Sequence, residues 1–594
     1  MRNKANNNNS SFYNDVHGIR RFTPVTFFST PVYFSIFFIL IAISSCYDKG
    51  NNNADSHPSS AGSVKLFKQL DASATGIDFR NDIKEDEYTN AIVYEYAYNG
   101  GGVAIGDVNN DGLDDIFFTA NQQPNRLYLN KGNPANGGTD FKFEDITAVS
   151  GTGGKAGCWK TGVTMTDVNA DGLLDIYVCY SGDLPGNKRI NELLINKGVD
   201  KTGTPVFQDE ALQWGIADSA YSTQASFFDY DKDGDLDMIL INHTPHVFEN
   251  LDEAYLKVLK NKKNPETGVR LFQNTGNKFE DITPGSGINN SSLSFGLGVS
   301  IADINNDNWP DIYLSNDYMA PDYLYINNRN GTFTDRIGEM IGYTSEFSMG
   351  NDVADFNNDG WNDIYTLDMV PEDNHRQKLL SSIDNYEFFE LRNKVGLHPQ
   401  FMRNMLHLNN GNNSFSEIAQ LSGVSNTDWS WAPLFADFDN DGWKDIFATN
   451  GFVHDYTNLD FLKYMGDYLR QNNYNVRTQN LLQLALQAPS SDVINYVYKN
   501  NGDLTFKNMS AAWGIDKPSN SNGAAYGDLD NDGDLDLAIN NTNQTAGIFR
   551  NDAEKITDNH YLLIKLKGEK KNTQAIGARV FVYCDSLMQT FEQL

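Results

Sequence analysis

Residues 107–118 read DVNNDGLDDIFF, and variants of this stretch occur seven times along the chain. The shared pattern is D-x-[DN]-x-D-[GN]-x-x-D, followed by a run rich in β-branched and aromatic residues. The other six copies begin at Asp167, Asp229, Asp303, Asp355, Asp437 and Asp528. A motif that recurs about every 50 to 90 residues indicates a repeat architecture, and the fold is therefore inferred from this motif.

Each copy offers an oxygen cage of the kind that Ca2+ prefers, from side chains at positions 1, 3, 5 and 9 and the carbonyl of position 7. Carboxylates about 4 to 5 Å apart repel each other by about 3 to 4 kcal/mol at an effective dielectric of 20, so the loop needs a cation to close. We therefore predict about seven calcium sites. The candidate ligands are Asp107, Asn109, Asp111, Leu113, Asp115, Asp167, Asn169, Asp171, Leu173, Asp175, Asp229, Asp231, Asp233, Asp235, Asp237, Asp303, Asn305, Asp307, Trp309, Asp311, Asp355, Asn357, Asp359, Trp361, Asp363, Asp437, Asp439, Asp441, Trp443, Asp445, Asp528, Asp530, Asp532, Asp534 and Asp536.

Two positions of the motif refine this prediction. Position 6 is Gly in six copies and Asn308 in the fourth, as a sharp turn with positive φ requires. Position 3 is Asp231, Asp439 or Asp530 in three copies and Asn in the others. Because Asp adds a charge, we expect those three loops to bind the ion more tightly.

The EF-hand begins in the same way, but position 12 excludes it. An EF-hand carries a bidentate Glu there and continues into a helix. This chain instead has residues such as Phe118, Val178 and Ala448, after an apolar run typical of β-strands. The loops therefore connect strand to strand.

Three further strands recur with each loop. Small residues such as GGVAIG (101–106) precede the loop, a strand and turn such as RLYLNKG (126–132) follows it, and the last strand begins with Phe, as in FEDIT (143–147). With the strand that directly follows the loop, each unit has four strands, the number in a β-propeller blade. The sequence therefore predicts an all-β propeller.

The phase of the repeat predicts how the ring closes. The strands that begin with Phe start at Phe67, Phe143, Phe207, Phe279, Phe333, Phe415 and Phe506. This series begins before the first loop and ends before the last one. The strand at Phe67 therefore completes the blade of the last loop, which predicts a closed seven-bladed ring. An open β-solenoid does not explain this phase.

The repeats, over residues 65–555, resemble the FG-GAP/VCBS repeats of integrin α-chain propellers. With HYLLIKL (560–566) and QAIGARV (574–580), the chain is similar to bacterial ASPIC/UnbV proteins related to cartilage acidic protein. The resemblance implies that residues 556–594 are the N-terminal part of a further β-domain. Such domains normally continue, so we expect this one to be truncated here.

The N-terminal residues read as a targeting segment. Residues 1–45 hold Arg20 and Arg21 and an apolar run at 32–43, which is too short to span a bilayer and typical of a signal peptide. ISSC at 43–46 resembles a bacterial lipobox, which makes Cys46 the lipidation site, and residues 46–64 form a polar tether. A signal anchor with an incidental Cys is the alternative. We expect a lipid-anchored protein of the cell envelope, at the outer membrane or cell surface, that contacts the membrane through its anchor only.

The formal net charge of -32 is explained largely by the loop carboxylates, while an aromatic fraction of 12% indicates a packed protein. The sequence has no basic patch with interleaved aromatic residues, which excludes nucleic acid as a partner. We expect Cys158, Cys179 and Cys584 to be free, buried and structural.

Strand order assigns the two faces of the ring. The loops join first and second strands, whereas the long insertions, residues 242–269, 370–403 and 450–493, join second and third strands and so emerge on the opposite face. Insertions on one face of a repeat ring often mark a binding face. Residues 377–392 and 459–486 have helical periodicity, and their apolar sides either bind a ligand or pack on the ring.

Five side chains are candidates for a ligand on that face. The two tryptophans either stack on sugars or fill the space between blades, and the histidines lie on or near insertions. These candidates are Trp429, Trp431, His243, His246 and His454.

We therefore predict a calcium-binding propeller that binds an envelope or extracellular protein or a glycan. Two alternatives remain: an enzyme that acts on polysaccharide in the manner of a lyase, and a purely structural envelope module. The sequence has no G-x-S-x-G, H-E-x-x-H or P-loop motif, so we assign no catalytic residue.

Overall fold

The computed structural model describes residues 65–132, 141–248, 251–380, 386–473, 478–584 and 587–593. The predicted signal peptide, Cys46 and the tether lie outside the described residues. The described chain forms seven four-stranded antiparallel sheets, which confirms the predicted seven-bladed β-propeller.

The first six blades take their strands in chain order. Blades one to three consist of β2 (Val103–Gly106), β3 (Asp115–Phe118), β4 (Arg126–Asn130) and β5 (Phe143–Asp145); β6 (Trp159–Thr166), β7 (Asp175–Ser181), β8 (Glu192–Val199) and β9 (Pro205–Asp209); and β10 (Ser222–Phe228), β11 (Asp237–Asn242), β12 (Arg270–Asn274) and β13 (Phe279–Asp281). Blades four to six consist of β14 (Gly296–Ala302), β15 (Asp311–Asn316), β16 (Tyr323–Asn327) and β17 (Phe333–Asp335); β19 (Asn351–Ala354), β20 (Asp363–Thr366), β22 (Met405–Asn409) and β23 (Phe415–Glu417); and β24 (Ser430–Ala436), β25 (Asp445–Asn450), β26 (Tyr496–Asn500) and β27 (Phe506–Asn508).

The seventh blade joins the two ends of the described chain. It contains β28 (Ser521–Gly527), β29 (Asp536–Asn541) and β30 (Gly547–Asn551), and its fourth strand is β1 (Phe67–Gln69). This is the closure that the phase of the Phe strands predicts.

The core lies in layers between neighbouring blades. Successive side chains of a strand point to opposite faces of its sheet, so Ile116 packs with Ile548 of blade seven, while Phe117 packs with Ile176 of blade two. The second strand of a blade is thus buried on both faces, which explains why the residues after each loop form a continuous apolar run.

Helices occur in two settings. One-turn helices follow the outer strands: α1 (Ala72–Thr75), α2 (Thr147–Ser150), α3 (Ala211–Trp214), α5 (Ile337–Met340), α8 (Ala419–Ser422) and α11 (Ser510–Trp513). A further one-turn helix, α12 (Ala553–Ile556), follows β30, the third strand of blade seven. The insertions carry α4 (Glu253–Asn261), α6 (Asn374–Leu380), α7 (Tyr386–Val395), α9 (Leu459–Gln471) and α10 (Thr478–Ala485). The two predicted helical insertions are confirmed, whereas α4 was not predicted, although its buried Leu256 and Leu259 recur at helical spacing. A short parallel pair, β18 (Thr344–Ser345) with β21 (Gln400–Phe401), joins the insertion of the fifth blade (residues 370–403) to the ring.

A segment that the sequence did not single out covers the centre of the insertion-bearing face. Residues 94–98 read YEYAY and lie between β1 and the first blade. Tyr94 contacts the ring of Trp159 in blade two, and Tyr98 contacts the ring of Phe452 after β25 of blade six. Tyr96 donates a hydrogen bond of 3.0 Å to Asp317 after β15 of blade four. This end of the ring is therefore closed by the protein's own aromatic residues.

The C-terminal residues contribute a β-hairpin after the seventh blade. Within the described part of 557–593, regular structure is limited to the hairpin of β31 (Arg579–Cys584) and β32 (Leu587–Glu592). Cys158 and Cys179 are buried and free, as expected, but Cys584 is exposed because it lies on this hairpin. Among the described residues, none of the helices is long and apolar enough to span a bilayer.

Candidate metal sites and ligand face

All seven loops share one backbone conformation. Positions 4 and 6 have positive φ, for example 56° at Asn110 and 88° at Gly112, and Asn308 adopts 65° where the other loops have Gly. These two turns direct the N–H groups of positions 5 and 6 toward position 1. The Asp107 carboxylate accepts hydrogen bonds from Asp111 N–H at 3.0 Å and from Gly112 N–H at 2.8 Å. The required turn at position 6 is therefore present in every loop.

Position 9 is held from both sides by backbone. Asp115 accepts hydrogen bonds from Asn130 N–H at 2.8 Å and from Val108 N–H at 3.0 Å, and it is fully buried. Burial, together with the nearby Asp111 and Asp107 carboxylates, raises the pKa of Asp115 to about 8. A cation in the loop would favour the ionised form and lower this pKa.

The side-chain oxygens of positions 1, 3 and 9 converge in three loops. They lie within 4.8 Å of one another in the sets Asp229, Asp231 and Asp237; Asp437, Asp439 and Asp445; and Asp528, Asp530 and Asp536. The other four loops have Asn at position 3, and its side-chain oxygen accepts the N–H of position 5, as Asn109 does from Asp111 at 3.1 Å. The predicted ligands of a loop are thus brought together.

Unpaired oxygens test whether a cation fits these loops. Oδ1 of Asp229, Oδ1 of Asp439 and both carboxylate oxygens of Asp530 are buried without a hydrogen-bond partner. A buried carboxylate oxygen that has lost its water is costly unless another group compensates it. Carboxylate, amide and carbonyl oxygens are hard donors that suit Ca2+. The residues fit a metal ion, which positions 1, 3, 5 and 9 would hold.

A third-strand asparagine links six of the seven loops to the loop of the preceding blade, and the sequence analysis missed it. Asn196 donates from Nδ2 to the carbonyl of Val108 in the preceding loop at 2.8 Å and to that of Leu174 in its own loop at 3.2 Å. Corresponding bonds to the preceding blade are made by Asn130, Asn327, Asn409, Asn500 and Asn551. The Asn at or near the end of each third strand, as in RLYLNKG (126–132), was the available signal. The asparagines therefore connect neighbouring loops around the ring, except between blades two and three, where Asn274 bonds within its own loop.

The residue before that asparagine varies with the charge of the loop. Gln273 donates to Asp231 at 2.8 Å, and Lys499 pairs with both Asp439 and Asp441. Arg550 occupies this position in blade seven, whereas the four loops with Asn at position 3 have Leu129, Ile195, Ile326 and Leu408 there. An extra acid at position 3 is therefore matched by a polar or basic side chain, which sequence reasoning did not use.

The C-terminal segment contacts the same face as the loops. Thr573 donates to Asp167 at 2.5 Å, Lys571 donates to Asp235 at 2.7 Å, and Arg579 lies 3.5 Å from Asp303. A cavity of about 770 Å3 lies between this segment and the inner strands, with Trp309, Arg579 and Glu592 in its wall. Residues far apart in sequence thus neutralise part of the loop charge.

The two tryptophans proposed for a ligand face are packing residues. Trp429 and Trp431 are only 8% and 9% exposed. The ring of Trp429 stacks on Phe452 with centroids 4.1 Å apart, and Trp431 Nε1 donates to the carbonyl of Gly451 at 3.0 Å. They fill the core, so neither offers a face on which a sugar could stack.

The three histidine candidates do not form one site. His243 is buried, with Nε2 2.9 Å from Ser181 Oγ and Nδ1 2.9 Å from the Thr244 carbonyl. His454 Nε2 lies 3.2 Å from Glu85, while His246 is exposed near Asp183 and Glu95. Of the five candidates, His246 alone presents its side chain openly to solvent.

A cavity of about 330 Å3 on the fifth-blade insertion was not predicted. Tyr386, Phe389 and Phe401 line it together with Arg403 and Glu346. Its sequence signal is the density of aromatic residues in YEFFE (386–390) and QFMR (400–403). The insertion-bearing face therefore offers a concave aromatic surface away from the predicted residues.

Five stretches of the chain match the FG-GAP-like repeat family: residues 107–178, 167–240, 303–366, 397–448 and 483–539. Together they cover just over half of the chain. The chain belongs to the FG-GAP-like repeat family. Each match ends in the strand that follows a metal loop, so the family repeat contains the loop described above.

Cartilage acidic protein 1 from Xenopus tropicalis is 26% identical over 279 residues, which are 44% of this chain and 39% of that protein. The human protein is 24% identical over 274 residues, or 44% and 38%. The matched region thus spans about two fifths of these curated relatives. One similar solved structure describes the recognition of non-reducing terminal N-acetylglucosamine by an Agrocybe aegerita lectin. It is 13% identical in sequence with a TM-score of 0.36, and the alignment covers 70% of this chain and 84% of the lectin chain. A score this low supports no inference about a ligand.

Proposed function

We propose that this protein is a calcium-stabilised propeller, held at the cell envelope by a lipid on Cys46, that binds a protein or glycan through its insertion-bearing face. The FG-GAP-like scaffold supports a role as a ligand-binding module, and its Asp clusters could hold metal ions. In this proposal about seven Ca2+ ions fasten the loops on one face. The opposite face carries the ligand.

Exposed apolar side chains on the insertions support this choice of face. The blades bury most of their large apolar residues between sheets, but the insertions present several of them to solvent. These residues are Tyr255, Val258, Tyr386, Phe388, Phe401, Leu459, Leu462, Tyr464 and Leu486. Exposed apolar surface of this kind is typical of interaction sites.

The cavity on the fifth-blade insertion is the observation that carries the proposal. Phe401 is 39% exposed, and the Arg403 guanidinium carbon lies 5.6 Å from its ring centroid and 5.3 Å from that of Tyr343. Aromatic faces suit sugar rings or apolar side chains, and arginine suits a carboxylate. Arg403 Nη2 lies 3.5 Å from Glu417, while its Nε has no hydrogen-bond partner. We infer a ligand that presents both a flat or apolar surface and a negative charge.

The test uses the calcium-loaded chain on a glycan array and in a screen of envelope proteins. Phe401→Ala and Arg403→Ala are each expected to weaken binding of the recovered ligand about tenfold, equal to about 1.4 kcal/mol. Leu212→Ala is the matched control, since Leu212 is 85% exposed on a one-turn helix of a blade. Replacing residues 459–485 with a short Gly/Ser linker tests the sixth-blade insertion separately. Equal binding by all these variants would refute the assigned face.

The anchor is tested independently of the ligand. Cells that express the full chain are labelled with a fatty-acid probe, and wild-type protein is compared with Cys46→Ser. We expect lipid label and membrane association in the wild type and loss of both in the variant. Equal labelling of the two proteins would show that Cys46 is not the anchor.

A further inference from the structure

We propose that blade seven holds a second divalent cation beside its loop site, bound by Asp532, Asp534 and Glu554. One carboxylate oxygen from each residue lies within 4.8 Å of the others. Three carboxylates at this spacing are hard oxygen donors, the ligands that Ca2+ takes. The proposal rests on calcium binding by the loops and adds a second site that shares one residue, Asp532, with the repeated ligand set.

Two of the three residues belong to the seventh loop, and the third comes from the helix after it. Asp532 and Asp534 are positions 5 and 7, while Glu554 lies in α12. Glu554 N–H donates to Asp534 Oδ2 at 3.2 Å, which fixes the start of α12 against the loop. The loop site itself needs only the backbone carbonyl of position 7. The loop site therefore does not use the Asp534 side chain, whose Oδ1 lacks a hydrogen-bond partner.

The Asp534 side chain is buried and incompletely paired. Its residue is 1% exposed, and Oδ1 is buried without a hydrogen-bond partner. Lys555 lies 2.6 Å from Glu554 Oε1 and offsets one charge of the cluster. The Asp534 oxygen still lacks a partner. A cation among the three carboxylates would supply it, because each residue can direct one oxygen to a common point.

Loop three provides an internal comparison. It also has an acid at position 7, Asp235, but Lys571 donates to Oδ2 of that residue at 2.7 Å. In loop seven the side chain that reaches Asp534 is the Glu554 carboxylate, so charges of the same sign meet there. The other five loops have no carboxylate at position 7, so this repulsion does not arise in them. Their residues at position 7 are Leu113, Leu173, Trp309, Trp361 and Trp443. Oδ1 of both acids is buried without a hydrogen-bond partner, but Asp235 has a lysine on its other oxygen, whereas Asp534 faces a second carboxylate that a cation would neutralise.

The second site shares a residue with the first. Asp528, Asp530 and Asp536 converge within 4.8 Å in the same loop, and Asp532 is position 5 of that ligand set. Its carboxylate has two oxygens, so it can bind one cation with each. Blade seven would then hold two cations bridged by Asp532.

Counting bound calcium tests this proposal. The full chain is dialysed against 45Ca2+, and native mass spectrometry provides a second count. Asp534→Leu installs the side chain found in loops one and two and keeps the backbone carbonyl, while Glu554→Gln removes only a charge. Each variant is expected to bind one equivalent fewer than the wild type. Asp235→Leu is the matched control and is expected to lose none.

A spectroscopic measurement distinguishes two cations that are bridged by Asp532 from two cations that bind independently. With Mn2+ in place of Ca2+, electron paramagnetic resonance is expected to show a spin-coupled pair in the wild type that is absent from Asp534→Leu. If that variant melts early even at saturating calcium, Glu554→Gln carries the test, since Glu554 is exposed.

Equal counts in the wild type and both variants would overturn the second site, and Asp534 and Glu554 would then share a proton. Retention of calcium in the other loops would leave the proposed function intact in that case. If the wild type bound no calcium at all, the metal part of the proposed function would fail as well. The two failures are therefore distinguishable.

Discussion

Phe67 lies opposite Asn551 in the antiparallel ladder that closes the ring. The Phe67 ring also meets Phe438 edge to face with centroids 5.4 Å apart, and Asn551 donates from Nδ2 to the Phe438 carbonyl at 2.7 Å. Strand β1, the seventh blade and the sixth loop thus meet at one point. Ring closure and loop structure depend on the same few residues.

Truncation of the Phe67 side chain should destabilise the whole ring. Phe67 is 1% exposed, so Phe67→Ala is expected to lower the free energy of unfolding by about 3 to 5 kcal/mol, as other buried Phe truncations do. Urea denaturation at saturating calcium measures this. Lys68→Ala, an exposed change on the same strand, should shift stability by less than about 0.5 kcal/mol. Similar losses in both variants would argue against closure through β1.

Calcium removal should lower the melting temperature substantially. At a free ion concentration 100-fold above Kd, each occupied loop adds about 2.7 kcal/mol to the folded state. Calorimetry in excess chelator and after calcium is restored measures the effect, with magnesium as the control ion. Magnesium is expected to restore little, because it demands a smaller octahedral site and gives up water reluctantly. An unchanged melting temperature after calcium removal would show that calcium does not stabilise the fold.

Lys499 should weaken calcium binding in loop six while it stabilises the calcium-free loop. It pairs with Asp439 and Asp441, two of the predicted ligands. Lys499→Leu, the residue found at the same place in blades one and five, is expected to tighten binding at this loop by on the order of tenfold, because a charge at 4 Å contributes about 1 to 4 kcal/mol. Terbium luminescence sensitised by Trp443 reports on this loop.

The same variant should be less stable than the wild type when calcium is absent. Lys507→Leu, on the exposed side of the next strand, is the control and should change neither quantity. Weaker calcium binding by Lys499→Leu would contradict the assigned competition. In that case the extra negative charge of Asp439 would be enough to place loop six among the loops with high calcium affinity.

His243 should make the fold sensitive to acid. Burial lowers the pKa of His243 to about 4, and Arg189 and His246 act in the same direction. Its unfolded pKa is about 6.5, so the unfolded chain binds the proton more tightly. Stability is therefore lost as pH falls from about 6.5 toward 4, by about 2 kcal/mol at pH 5.

His243→Gln should have a smaller stability difference between pH 7 and pH 5 than the wild type. Denaturant titrations at both pH values and saturating calcium measure this difference. His407, whose burial lowers its pKa to about 3, contributes equally to both proteins and serves as an internal reference. An identical pH dependence in the variant and the wild type would show that His243 does not control this acid response.

The loop, the number of blades and the closure of the ring could all be predicted from the amino-acid sequence. The loop is predictable because its candidate ligands fall within nine residues and its turns need Gly or Asn at fixed places. The blades are predictable because strand patterns are local, and the phase of the Phe strands leaves one strand to complete blade seven. Both depend on residues that are close in sequence or on their order.

Tertiary structure decided which side chains are available. Trp429, Trp431 and His243 are candidates in the sequence, but packing around residues 94–98 and Phe452 buries them. Glu554 meets Asp534, and Lys571 meets Asp235, only after seven blades have closed and the C-terminal segment lies over the loops. Burial and the pairing of charges depend on contacts between residues that are distant in the chain, so no local pattern contains them.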